Sequence, residues 1–325
     1  MHKNIMNIRS LSFTFLLFSA VADAHHSQSY FSKEFSQVTG TILQLDWRNP
    51  HIRFNLESIN SDGKQEVLRI ETNSIYYLER AGITKDRINV GDKVTVGGYA
   101  SIKAGGEFLG AELQLPDGEN LLLIRDGVTT LFSDIVQNTL RENKGIFRVW
   151  SIPQNNNREL YTPLTAAAEA KMQEFDLLNN FTTRCEPGGM PRLMWYPHPY
   201  EFEDLGNQIL LRTEMYDAVR TIHMDRSTPP DGEPHSRLGY SVGHWEGSEL
   251  VVKTSLLNWE YYDTRGIPQS ELAEVVERYT ISNDQSRLDY FITTTDPETF
   301  TEPATIKGHW LALGETIKPY NCEVY

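Results

Sequence analysis

Val38-Thr39-Gly40-Thr41-Ile42-Leu43-Gln44-Leu45 leads, through Asp46, into Trp47-Arg48-Asn49-Pro50-His51 and then Ile52-Arg53-Phe54-Asn55-Leu56. Both flanking stretches alternate at period two, so each presents its apolar side chains on one face of a strand, and Pro50 between them biases Asn49 toward extended geometry. Working outward, Ser61-Asp62-Gly63-Lys64 reverses the chain into Val67-Leu68-Arg69-Ile70. A short helix is expected from Ser74 to Ala81, with Gly82 as its stop. Val90-Gly91-Asp92 then introduces Lys93-Val94-Thr95-Val96, and a last strand runs near Phe108 to Leu115. Three strands, a helix and two strands within about 80 residues is the order of an OB-type barrel.

The chain has 325 residues and begins with a cationic stretch (Lys3, Arg9), an apolar run from Leu11 to Ala22 and the small-residue pattern Ala22-Asp23-Ala24 before His25-His26. This is the pattern of a secretory signal peptide cut after Ala24. The apolar run is short of the roughly 20 residues that a membrane helix needs, so no span is expected once it is removed. The expected destination is the periplasm or the exterior. A net charge of −14 argues against nucleic acid as a partner, because an acidic surface repels phosphate backbones. The same charge also keeps an exported chain soluble. In an oxidising compartment the two cysteines, Cys185 and Cys322, are expected to close a disulfide tying the start of the second domain to the chain's end. A reactive thiol paired with histidine is the rival, and no motif supports it.

Residues 126–164 read as a solvated connection, with Asn143-Lys144-Gly145 and Asn155-Asn156-Asn157. A helix is expected from Thr165 to about Leu178, opened by Thr162-Pro163. Strands are expected at Ile209–Asp225, Glu249–Thr254, Glu274–Ser282, Leu288–Thr295 and Thr305–Leu313, between turns such as Pro229-Pro230-Asp231-Gly232. The fold class is therefore mainly β: an N-terminal OB-like barrel, then a second β-barrel or β-sandwich with a short helix. The division is a signal peptide at 1–24, the OB-like domain at 25–125, the connection at 126–164 and a β-rich domain at 165–325.

Ala24-His25-His26-Ser27, the Gly40-Thr41-Ile42 strand, Trp47-Arg48-Asn49-Pro50-His51 and Val90-Gly91-Asp92-Lys93-Val94-Thr95-Val96 occur in that order. Together they resemble the DUF6152 family of exported bacterial OB-like domains, whose function is unknown. The resemblance covers roughly residues 24–120 and implies export and architecture, not a reaction. Arg184-Cys185-Glu186-Pro187-Gly188-Gly189-Met190-Pro191-Arg192, Ser241-Val242-Gly243-His244-Trp245-Glu246-Gly247, Val276-Glu277-Arg278-Tyr279 and Tyr320-Asn321-Cys322 resemble the longer segment that follows such domains. Where relatives often carry histidine or aspartate before Ser-Val-Gly, this chain has Tyr240, so no catalytic role is carried over to that position.

Three histidines offer metal chemistry. If His25 becomes the new terminus, its amine and ring can bind copper together with an imidazole from His26 or His51, and nitrogen donors of this kind suit Cu(II). A set built from the amine, a backbone amide and His26 would bind Cu(II) or Ni(II) without His51. Copper is the one cofactor these residues suggest, and no zinc motif is present. The ordinary structural reading is a frayed terminus, with His51 near a strand end.

In the second half, alternation places Arg220 with Ile222 and Met224, His223 on the opposite face, and Glu277 with Val275, Tyr279 and Ile281. An inward arginine and glutamate must pair or hold a ligand, because an isolated buried charge is expensive. Arg220, His223 and Glu277 are therefore the catalytic candidates of an enzyme reading, and a structural ion pair is the alternative. His198 and His244 lie among aromatic residues and could line a pocket. No serine elbow, phosphate loop or dinucleotide fingerprint is present. The functional expectation is a periplasmic protein that binds a small molecule or a metal ion. The alternatives are an enzyme with its pocket in the second domain, and a protein-interaction module.

Overall fold

The computed structural model describes residues 31–60, 62–102, 105–123, 144–153, 158–176 and 180–324. Residues 1–24, expected to be a signal peptide, His25, His26 and much of the 126–164 connection lie outside them. The first sheet contains β1 (Phe31–Asp46), β2 (Arg53–Ile59) and β3 (Gln65–Glu71), then α1 (Ile75–Arg80), then β4 (Lys93–Ser101), β5 (Glu107–Gln114) and β6 (Asn120–Leu122). Its strand order is β3-β2-β1-β4-β5-β6, and β3 also pairs with β5. That last pairing is parallel, through Ile70 and Phe108, and it closes five strands into a barrel with α1 between β3 and β4. This is the expected OB-like connectivity.

Ile42, Phe54, Leu56, Ile70, Val94 and Val96 fill this barrel, and Leu78 of α1 packs beneath it. The β1–β2 register shifts between Ile42 and Gln44, leaving Leu43 as an extra residue. Without that bulge Leu45 would fall on the face opposite Ile42. The bulge returns Leu45 to the core and leaves Leu43 44% exposed. Gly82, at φ 77°, ends the α1 turn as expected.

The second sheet takes β7 (Val149–Trp150), β8 (Glu159–Tyr161), β9 (Tyr200–Asp204), β10 (Gln208–Thr213), β11 (Ala218–His223), β12 (Tyr240–Glu246), β13 (Glu249–Ser255), β14 (Glu274–Ile281), β15 (Arg287–Thr295) and β16 (Ala304–Leu311). They run in the order β7-β9-β10-β11-β12-β13-β14-β15-β16-β8. Every pairing is antiparallel except β11 with β12. Ser151, just after β7, exchanges two backbone hydrogen bonds of 2.8 Å with Leu311 of β16, which brings the ends of the sheet together. Stacked aromatics fill the interior, with the Tyr200 and Trp310 rings 4.4 Å apart. The buried turn Arg192–Trp195 inserts Leu193 and Met194 into the same core.

Three features differ from the sequence reading. The single strand expected at Ile209–Asp225 is a hairpin, β10 and β11, broken where Tyr216 (φ 60°) and Asp217 (φ 50°) adopt left-handed backbone. Part of the connection belongs to the second sheet: Trp150 of β7 is fully buried, and its indole N–H donates to Ile146 O at 2.8 Å. The helix α2 (Ala166–Glu174) starts where expected, with Thr165 Oγ1 accepting from Ala168 N, and ends a few residues early at Phe175. Phe175 turns away to pack on Tyr261, ring centroids 5.1 Å apart. Cys185 and Cys322 are bonded, with a sequence separation of 137.

Candidate functional site

Arg220 and Glu277 do point into the second barrel. Arg220 is 2% exposed and Glu277 0%, and their side chains meet in a two-pronged ion pair, Nη1 to Oε1 at 3.0 Å and Nη2 to Oε2. β12 and β13 lie between them and contribute hydroxyls: Arg220 Nε donates to Ser241 Oγ at 2.9 Å and Nη2 to Thr254 Oγ1 at 2.7 Å. Tyr279 Oη donates to Glu277 Oε1 at 2.6 Å. Burial alone would lower the Arg220 guanidinium, but attraction to Glu277 outweighs it and holds the group above its ordinary value. The charges satisfy each other, which is the arrangement of a structural pair.

His223 does not join them. Its ring stacks on Tyr240 at 4.4 Å on the other face of the sheet, and Nδ1 lies 3.5 Å from Gln208 Nε2. The imidazole is held below its ordinary value, first by partial burial and then by Arg226. His244 is exposed and sits 3.1 Å from Glu246. The three-residue constellation read from alternation is therefore two separate places.

The outer face of the second sheet carries a groove of about 500 Å³. Cross-strand register builds it in two rows. One row runs Arg278, Phe291, Lys307 and Glu159 on β14, β15, β16 and β8, and the other runs Thr280, Asp289 and His309. Glu249 of β13 closes one side. Phe291 is 42% exposed on the floor, with charges around it. Arg278 contacts Glu249 and also Glu246, at 2.9 Å, and Lys307 contacts Glu159 at 2.5 Å. Glu246 is held below the usual carboxylate range, first by Arg278 and then by His244. The groove can place cations and carboxylates on a polar ligand while the phenyl ring takes an apolar face.

A third place lies where the two domains meet. His51 Nδ1 is 3.0 Å from Thr72 O, and because a carbonyl only accepts, this ring nitrogen carries the proton. Asn49 is buried, and its Oδ1 accepts from Ile75 N, the first residue of α1, at 3.1 Å. Its Nδ2 donates across the domain boundary to Tyr320 O. Tyr77 Oη donates to Pro197 O at 2.7 Å. His198, 2% exposed, packs between Tyr76 and Tyr320, with Nδ1 3.5 Å from Glu214 Oε1. Arg80 joins the same region, 2.8 Å from Glu315 and 3.4 Å from Glu214, over the Tyr76 ring.

Residues 15–108 match a family of unknown function, DUF6152. That stretch of the chain belongs to DUF6152. No curated protein matches the chain. The DUF6152 segment takes in β1 to β4 and the start of β5, so the groove, the Arg220–Glu277 pair and both cysteines lie beyond it. In the DUF6152 barrel the Trp-Arg-Asn-Pro-His motif is a joint: Asn49 and His51 are engaged with backbone, and Arg48 lies 3.3 Å from Glu323 of the C-terminal tail.

Among the described residues, no cluster of three or more His, Cys, Asp or Glu side chains is placed to hold a metal, and no helix is long and apolar enough to cross a membrane. The groove residues Glu159, Glu249, Arg278, Asp289, Phe291, Lys307 and His309 were not singled out by the sequence. Alternation reads them as an ordinary solvated face. The one sequence signal was Phe291, an aromatic on the polar side of β15.

Proposed function

We propose that this chain is an exported binding protein whose second domain takes a small polar ligand in the groove over β13–β16 and β8. One observation carries the reading: an exposed phenyl ring, Phe291, lies in a groove of about 500 Å³ among Arg278, Lys307, His309, Glu159, Glu249 and Asp289. Hydroxyl-rich ligands with one apolar face, such as sugars, fit this lining, because carboxylates accept, guanidinium and ammonium donate, and the ring stacks. The leader-like start and the bonded cysteine pair support export. The mutual satisfaction of Arg220 and Glu277 weighs against an enzyme centred on that pair. Calorimetric titration with neutral, amino and uronic sugars tests the groove. Saturable heat that disappears in Arg278→Gln is expected, and no binding by any of them, or binding indifferent to Arg278, overturns the assignment.

A metal reading keeps one specific support. His51 donates its Nδ1 proton to Thr72 O, the outer-shell bond that orients a histidine whose Nε2 holds a metal. His25, His26 and the freed terminal amine would supply the other nitrogens, and copper suits them. Copper titration of the processed chain, of His51→Ala and of a chain with one extra N-terminal alanine tests this. Equal binding by all three rejects it. Terminal sequencing is expected to show His25 first.

A further inference from the structure

We propose that residues 315–324 form a thiol-controlled latch between the two domains, with Asn49 of the first barrel as its socket. After β16 the chain leaves the second barrel without regular structure and crosses to the first. Glu315 accepts from Ser151 Oγ at 2.7 Å and from Arg80 Nε of α1 at 2.8 Å. Lys318 N donates to Glu214 at 3.1 Å, and Lys318 Nζ reaches Glu79 of α1 at 2.9 Å. Tyr320 N donates to Asp217 Oδ1 at 2.9 Å, and its ring packs on His198 and Tyr216. At the socket, Asn49 Nδ2 donates to Tyr320 O, Glu323 N donates to Asn49 O at 3.2 Å, and Asn49 pairs with Cys322 in a parallel bridge.

Cys322 is then bonded back to Cys185 of the second domain. The tail is therefore a loop anchored in the second domain at both ends, by β16 and by the disulfide, and it holds the first barrel by contacts along its arc. Each contact alone is modest, and the covalent anchor keeps them together by holding the tail at high effective concentration. Opened, the same residues lose one of their two anchors and stay tethered to the second domain through β16 alone.

Backbone strain gathers at this latch. Cys185, Tyr216, Asp217 and Asn321 are non-glycine residues with φ of 55°, 60°, 50° and 46°. Such conformations persist only where the surroundings over-determine them. Both cysteines are part-exposed, and Asn321 and Glu323 are exposed, so a soluble dithiol can reach the bridge. A dithiol's thiolate attacks one sulfur and forms a mixed disulfide. Its second thiol then displaces the protein, leaving two cysteine thiols and the reagent as a cyclic disulfide, so two electrons and two protons pass to the bridge.

Hydrogen exchange on the full chain, oxidised and after dithiothreitol reduction confirmed by mass, tests the latch. Reduction is expected to speed exchange about ten-fold at Ile75, Tyr320 and Glu323 while β14 and β15 stay protected. Unchanged exchange after complete reduction overturns the proposal, and so does equal loss of protection in β14 and β15, which would be unfolding of the second domain. Asn49→Ala in the oxidised chain provides the second variant. Faster exchange at Ile75 and Glu323 is expected, and unaltered exchange there removes Asn49 as the socket.

Discussion

Arg220 on β11 and Glu277 on β14 are joined across two intervening strands, and the Ser241 and Thr254 hydroxyls of those strands fill the polar row between them. The barrel interior therefore holds a complete ionic row beside its buried aromatic and aliphatic side chains. Removing one partner leaves a buried charge alone. Glu277→Gln is expected to cost about 3–5 kcal/mol in urea denaturation, whereas the paired replacement Arg220→Met with Glu277→Leu recovers most of that loss. A single-variant cost under about 1 kcal/mol would show that the pair is solvated.

Phe291→Ala separates binding from folding. The ring is exposed on the sheet's outer face, so its loss should change stability by less than about 1 kcal/mol. Ligand affinity should fall about ten-fold, because the stacking surface is gone. Parallel denaturation and calorimetry check both halves.

Gly308 and Tyr290 are directly opposite on β16 and β15, and the tyrosine ring lies over the glycine. A Cβ at Gly308 would stand 2.5 Å from Tyr290 Oη, so Gly308→Ala must displace a buried ring whose hydroxyl burial pushes up to about 12. A loss of about 1–3 kcal/mol is expected from overpacking, together with a changed near-ultraviolet circular dichroism spectrum.

His198 sets a pH dependence at the domain joint. Burial lowers its imidazole below the ordinary value, against an opposing pull from Glu214. The folded chain therefore binds fewer protons here than the unfolded chain does. The contribution is intact above the ordinary histidine value near about 6.5 and is lost as pH falls from there toward the depressed value. Melting temperature is expected to drop between about pH 7 and about pH 5, with a shallower slope in His198→Gln. An unchanged slope in that variant would place the titration elsewhere.

Much of the first barrel was legible because period-two alternation, the Gly82 stop and the Gly91-Asp92 turn act locally. Leu43 was not: a bulge is one unpaired residue, and nothing in Leu43 itself distinguishes it from its neighbours. In the second domain alternation put Arg220 and Glu277 on inward faces and His223 outward. The hairpin break at Tyr216–Asp217 escaped notice because no glycine, proline or asparagine marks it, and a tyrosine at positive φ is rare. It is held from outside, by Asp217 accepting from Tyr320 N more than 100 residues away.

The amino-acid sequence alone determined the β-rich composition of both domains, the pairing of its two cysteines and the inward orientation of a charged pair. Each follows from period, count or cost of burial, which are properties of short stretches or of the whole chain. Tertiary structure decided that Arg220 and Glu277 satisfy each other, that the polar face of β14–β16 forms a groove, and that the Trp47–His51 turn receives Tyr320 to Glu323 of the same chain. Those outcomes depend on which strands become neighbours and how the sheet curves, because side chains far apart in sequence acquire partners only after the barrels close.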